Sequence, residues 1–162
     1  MFKKIMLVLL AALVVIQFIH PKKNKAEGPQ PNYIGNVYAI PADVKTILAK
    51  ACNDCHSNNT VYPWYAKFQP ILWWLDKHVK DGKNEMNFDD YTKRSLRFQY
   101  RKMEEVIEQV KEGEMPLNSY TWVHTDVKLT APEKNIITKW VDGIREKMKT
   151  MYPIDSLERP KR

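Results

Sequence analysis

Cys52-Asn53-Asp54-Cys55-His56 is the stretch on which the reading of this chain turns. Two cysteines three apart, with histidine directly after the second, form the attachment signature of a c-type haem. The two thiols add across the haem vinyl groups as thioethers, and the imidazole takes the proximal side of the iron. Cys52 and Cys55 are the chain's only two cysteines. The expectation is therefore one covalent haem c per chain, with no cysteine left for a structural disulfide. The competing readings are a zinc half-site, a redox dithiol or coincidence. Zinc needs two further ligands, and His20, His78 and His124 are the histidines that remain. A thioredoxin-like dithiol normally sits in a βαβ pattern, which the sequence does not show.

Upstream of the motif, Val44, Ile47, Leu48 and Ala51 are spaced for one helix face, so a helix starting near Pro41 is expected to deliver the cysteines. Downstream, Asn53 to Thr60 favours a turn after His56. An aromatic stretch follows, with Tyr62, Trp64, Tyr65, Phe68, Trp73 and Trp74. These rings either wall the haem or make the core, two roles that overlap in a small domain. Pro70 suits the first turn of a helix carrying Ile71, Trp74, Leu75, His78 and Val79 on one side, with Gly82 as its stop.

A long helix is expected from about Asp90 to Glu112, with Leu96, Tyr100, Met103, Ile107 and Val110 as its apolar stripe and Gly113 as its end. Thr130-Ala131-Pro132-Glu133 reads as a capping box opening a last helix, whose buried stripe is Ile136, Ile137, Trp140, Val141, Ile144 and Met148. No strand pattern of any length, internal repeat or Gly-rich phosphate loop is found. The fold class is all-α. The expected organisation is a leader over 1–20, a linker over 21–40, a haem-binding domain over 41–149 and a flexible tail over 150–162.

The second axial ligand is sought in Gly113-Glu114-Met115-Pro116-Leu117. Met115 follows a helix stop, and the proline after it biases its backbone toward an extended form that can present the thioether. Thioether sulfur is a soft ligand, and Met/His ligation raises the potential. His124, Met86, His78 and an open or water-bound site stay as alternatives, because seven methionines make methionine alone a weak sign.

At the N-terminus, Lys3 and Lys4 precede an uncharged apolar run from Ile5 to Ile19. The run reads as a signal peptide or signal anchor. Fifteen helical residues reach about 22 Å, short of the roughly 30 Å hydrocarbon core. With no small-x-small cleavage site before His20, an uncleaved anchor is favoured over a cleaved leader. Haem c attachment places the domain on the periplasmic side of a bacterial inner membrane. Lys and Arg number 26 against 19 Asp and Glu, a net charge of +7. That balance suits an acidic redox partner or anionic headgroups. The lysines are dispersed and no nucleic-acid fold signature accompanies them, so no nucleic-acid partner is expected.

Taken together, the attachment motif, Tyr62-Pro63-Trp64-Tyr65, Gly113-Glu114-Met115-Pro116-Leu117 and Thr130-Ala131-Pro132-Glu133 through Trp140 resemble the small bacterial haem-binding domain family of membrane-tethered or exported monohaem proteins. The similarity covers roughly residues 33 to 148 and the N-terminal anchor. It implies covalent haem in a cytochrome c-like helical domain, with Cys52 and Cys55 as attachment residues and His56 as ligand. The long insertion between the attachment helix and Met115 departs from ordinary soluble cytochromes c. The expected function is single-electron transfer through His56/Met115-ligated iron, without enzymatic activity. The alternative is a haem-based sensor or small-ligand-binding module with a displaceable distal ligand. A two-haem peroxidase is disfavoured by the single attachment site.

Overall fold

The computed structural model describes residues 1–159. These are helical apart from connecting segments and one isolated antiparallel bridge, between Lys25 and Asn59. The α-helices are α1 (Phe2–Ile16), α2 (Ala42–Ala51), α3 (Asn53–His56), α4 (Ile71–Glu85), α5 (Leu96–Glu112), α6 (Asn118–Thr121), α7 (Ala131–Met151) and α8 (Ile154–Leu157).

The main core lies where α2, α5 and α7 meet, with Leu48, Met103, Ile107, Ile137, Val141 and Met148 buried against one another. These positions recur at three and four residues along each helix, the spacing that puts side chains on one face. A smaller cluster of Ala66, Leu72 and Leu75, with Tyr62 against it, seats the aromatic segment beneath α4. The buried face of α4 is thus Leu72, Leu75 and Val79, whereas Ile71 and Trp74 of the expected face are exposed.

The expected capping box on α7 is present in both directions. The Glu133 amide donates to Thr130 Oγ1 at 3.4 Å, and the Thr130 amide donates to Glu133 Oε2 at 2.8 Å. Lys50 of α2 also pairs with Glu133, fastening the start of α7 to the helix that leads into the attachment motif. The Lys50 hydrogen bond first, and the Thr130 amide second, hold the Glu133 carboxyl down at about 2 against an ordinary 4.5. The charge therefore stabilises the fold fully above pH 4.5, and that contribution is lost as pH falls toward 2. Glu133→Gln keeps the box and removes the charge. Urea unfolding should show the variant weaker by about 0.5–1 kcal/mol at pH 7, with the gap shrinking below pH 4.5. A gap independent of pH would place the effect outside the Lys50–Glu133 pair.

Several boundaries differ from the sequence expectations. The long helix does not begin at Asp90. Residues Phe88–Lys93 form a 3-10 segment, and α5 starts after Ser95, whose Oγ accepts from the Phe98 amide at 3.3 Å. Serine is a strong N-cap, and Asn87 caps the preceding turn by accepting from the Asp89 amide at 3.0 Å. Gly82 does not stop α4, which continues to Glu85. Gly113 does end α5, in the left-handed conformation at φ 81° that favours glycine.

Segment 21–40, expected as a linker, packs on the domain. Ile34 and Tyr38 enter the main core, and Asn24 Nδ2 donates to the Ser57 carbonyl at 2.9 Å and Thr60 Oγ1 at 3.0 Å. The tail expected to fray from residue 150 instead forms α8 as far as Leu157, which is buried in the main core because α5 offers it an apolar seat. The last three residues of the expected tail lie outside the described residues. At the other end, α1 stops at Ile16 although the apolar run continues to Ile19. Among the described residues no helix is long and apolar enough to cross a membrane.

Candidate cofactor site

The attachment motif is not one continuous helical turn. α2 ends at Ala51, the chain bends at Cys52 (φ −125°), and α3 starts afresh. The Cys52 carbonyl accepts from both the Cys55 amide (3.2 Å) and the His56 amide (2.9 Å), which closes the short turn. The bend sends the two thiols to different parts of one cleft. Cys52 lines a lobe of about 370 Å³, and Cys55 lines a lobe of about 290 Å³. The lobes share Ala51, His56, Glu85, Met115 and Pro116 as walls. Cofactor pockets commonly run from about 300 to 1,000 Å³ and are mostly apolar. Leu48, Val106, Val110, Leu129 and Ile137 give the larger lobe that character.

His56 stands on the wall common to both lobes. Its Nδ1 lies 2.9 Å from the Met86 carbonyl. A carbonyl can only accept, so Nδ1 carries the hydrogen and Nε2 keeps its lone pair. This is the orientation in which an outer hydrogen bond fixes the tautomer of a metal-binding histidine. Burial lowers the imidazole's proton affinity, which favours the neutral, ligating form. Phe88 meets the ring edge-on, with centroids 6.4 Å apart. Burial pushes the Cys52 thiol up to about 12, with Cys55 adding to it, and the Cys55 thiol up to about 11, with Asp54 adding to it. Both are neutral thiols at neutral pH, free of any disulfide. Among the described residues no group of three or more His, Cys, Asp and Glu is placed to hold a metal ion, so the zinc reading finds no ligand set here.

Met115 reaches the cleft because the end of α5 is folded back tightly. The amides of Gly113, Glu114 and Met115 all converge on the Gln109 carbonyl, those of Glu114 and Met115 at 3.0 and 3.2 Å. The left-handed Gly113 makes that reversal possible. Met115 and His56 thus both border both lobes. The alternatives are placed differently. Met86 lines the larger lobe, but its carbonyl is the partner of His56. His78 lines the smaller lobe, with Nδ1 2.8 Å from the Trp74 carbonyl. His124 lines neither lobe and bonds Tyr65 Oη through Nε2 at 2.6 Å.

Three contributors have no sequence-level signal of their own. Gly82 lets α4 lie against the attachment turn, since a Cβ there would stand 2.8 Å from the Cys55 carbonyl oxygen. Asp54, inside the motif, accepts from the Val61 amide at 2.8 Å and from Tyr120 Oη at 2.7 Å, tying the loop after His56 and α6 to the cysteines. Burial first, and the Asp54 carboxylate second, push the Tyr120 phenol well up, so it stays a donor. Lys102 is a buried cation on the wall of the larger lobe, bonded to Glu85 at 2.7 Å and Glu105 at 2.6 Å. Burial pulls its proton affinity down, but the two carboxylates outweigh burial and raise it, so the ammonium stays charged.

The imidazole of His56 and the thioether of Met115 are side chains that could ligate haem iron, and the two thiols line the same apolar cleft. The sequence model of the haem-binding domain family matches residues 11–143. No curated protein and no solved structure matches the chain.

Proposed function

Because the chain belongs to the haem-binding domain family, we propose that it is a monohaem c-type cytochrome domain that passes single electrons. The observation that carries this reading is the shared wall: His56 and Met115 border both lobes of a cleft into which Cys52 and Cys55 also open. When bound, the haem supplies iron that changes its charge by one electron. Cys52 and Cys55 would hold the macrocycle through thioethers, and His56, whose Nε2 is left free, would bind its iron. Met115 would offer the iron a second ligand, whose soft sulfur would favour the reduced metal. Met86 keeps the imidazole oriented through its carbonyl. The apolar walls exclude water, and Lys102 is balanced beside the site by the Glu85 and Glu105 carboxylates. The chain carries electrons rather than transforming a substrate, so no catalytic residue is assigned.

The net charge of +7 suits an acidic redox partner. The domain belongs on the outer face of a bacterial cytoplasmic membrane, attached through the apolar segment 5–19. Covalent attachment is tested on protein made in cells competent for haem ligation. Its intact mass should exceed that of the polypeptide by one haem, its pyridine haemochrome should show thioether-linked haem, and neither cysteine should alkylate after unfolding. Colourless protein with two reactive thiols would end the proposal. Rapid stoichiometric carbon monoxide binding to the reduced wild type would instead favour the sensor alternative.

A further inference from the structure

Helix α1 is fastened to the domain at its foot. Gln17 Nε2 donates to the Gln69 carbonyl at 3.1 Å, and the Gln69 amide donates to Gln17 Oε1 at 3.0 Å. Two residues on, the Ile19 carbonyl accepts from Gln69 Nε2 at 2.7 Å and from Trp73 Nε1 at 3.0 Å. Gln69 is 4% exposed, and its Oε1 accepts from the Trp73 amide at 3.2 Å, so its side-chain amide is engaged at both ends. Four bonds, three to the buried Gln69 and one to Trp73, hold the foot of an apolar helix at this point.

Large exposed apolar side chains flank Gln69 along the chain. Trp64, Phe68, Ile71 and Trp74 are 74%, 52%, 41% and 43% exposed. Trp64 meets Phe68 edge-on at 6.4 Å, Phe68 directly precedes Gln69, and Ile71 and Trp74 share the outer face of the first turns of α4. Scattered exposed hydrophobes are ordinary. α1 has no buried residue either, and Gln69, to which its foot is bonded, lies in sequence between Phe68 and Ile71, so apolar surface is exposed on both sides of that anchor. Lys22, Lys23 and Lys25 come after Ile19 and His20-Pro21, and Lys67 lies between Trp64 and Phe68.

We propose that Trp64, Phe68, Ile71 and Trp74 form a collar that lies in the headgroup region of a lipid bilayer and fixes the orientation of the domain on the membrane. This rests on the membrane attachment proposed above. A 15-residue helix reaches about 22 Å, against a hydrocarbon layer of roughly 30 Å. Inserted to its full length, α1 draws the surface around its foot into the interface. Tryptophan is the residue enriched there, and lysines just outside favour anionic headgroups. The collar is linked to the haem motif through Tyr65, which follows Trp64 and bonds His124, and through Tyr120, which stacks on His124 and bonds Asp54. Holding the collar therefore holds the attachment edge of the cleft at a set angle to the membrane.

The test uses the haem-loaded full chain, in which both native cysteines are consumed. Trp64→Cys, Phe68→Cys and Trp74→Cys are compared with Lys139→Cys, exposed on α7. Each variant is placed in vesicles of phosphatidylethanolamine and phosphatidylglycerol and treated with a charged maleimide. Labelling at the three collar sites should be on the order of tenfold slower than at the reference, because a charged reagent enters the interface poorly. Adding Gln69→Ala should restore fast labelling at position 74 while the protein still floats with the vesicles. Equal rates in floating protein would overturn the collar and leave α1 a loose tether. Protection in native membranes but not in pure lipid would assign the surface to a protein partner and overturn it too. Failure to float would sink the membrane attachment itself, and labelling of the wild type would sink covalent haem.

Discussion

Gly82→Val should nearly abolish haem loading of the purified chain. The added Cβ would stand 2.8 Å from the Cys55 carbonyl oxygen and 3.0 Å from the Cys55 Cβ. The first of these atoms is backbone, so no rotamer change relieves the contact. α4 and α3 would have to separate, and Cys55 and His56 would move with α3. Alanine at this position gains about 1 kcal/mol of helix propensity and loses about 1–3 kcal/mol to overpacking, so a moderate net loss is expected. Valine adds two branches at the same point and a poorer helix propensity, and the loss grows. Loading is read as haem absorbance per polypeptide, and it should fall to a small fraction of the wild-type value. Gly143→Ala is the control: it lies in α7 with nothing within 4 Å of its Cβ position. It should stabilise the protein by up to about 1 kcal/mol in urea unfolding and leave loading unchanged. If Gly82→Val loads like the wild type, the close approach of α4 does not position the motif.

That glycine also shows where sequence reasoning stops. A glycine near the end of an apolar pattern can be a helix stop or a point of close backbone approach, and composition does not separate the two. At Gly113 the first meaning holds, at Gly82 the second, and only the neighbouring turn decides. The capping box at Thr130 and Glu133 was legible because both partners lie within four residues. The start of α5 was missed because apolar spacing continues across Phe88 and Tyr91, and the stronger local sign was Ser95 as a cap. Ile34 and Tyr38 lie in a mostly apolar stretch, Tyr33 to Ile40, whose core role is masked by the proline- and lysine-containing segment before it. Within the site, Cys52, Cys55 and His56 form a local motif, and Met115 is marked by its place after Gly113. Asp54 and Tyr120 are 66 residues apart, and nothing local to either announces the other. The collar at Gln69 has the same character: Gln17 and Gln69 are unremarkable polar residues until the fold brings α1 to the head of α4.

Met115→Ala should convert the haem-loaded protein into one that binds carbon monoxide rapidly and stoichiometrically when reduced. The wild type should not, since His56 and Met115 would both hold the iron in the proposed ligation. The substitution is a clean probe because the chain path at Met115 is fixed by backbone. Gly113 supplies the left-handed reversal, and the Gly113, Glu114 and Met115 amides reach the Gln109 carbonyl whatever side chain follows. Met115 is only partly buried, so truncation should cost stability at the low end of the roughly 2–5 kcal/mol seen for core methionines, and α5 and α7 should stay packed. Two further changes separate a ligand from a core filler. Losing the thioether removes a preference for reduced iron, so the potential should fall, whereas a packing defect alone would leave it near the wild-type value. Met115→His should restore a six-coordinate, carbon monoxide-resistant spectrum at a lower potential than the wild type, because imidazole is the harder donor. An unchanged six-coordinate spectrum in Met115→Ala would remove Met115 from the iron. The cleft would then leave His78 on the smaller lobe and Met86 on the larger as the side chains to test, and their positions on different lobes mean that a second substitution would choose between them.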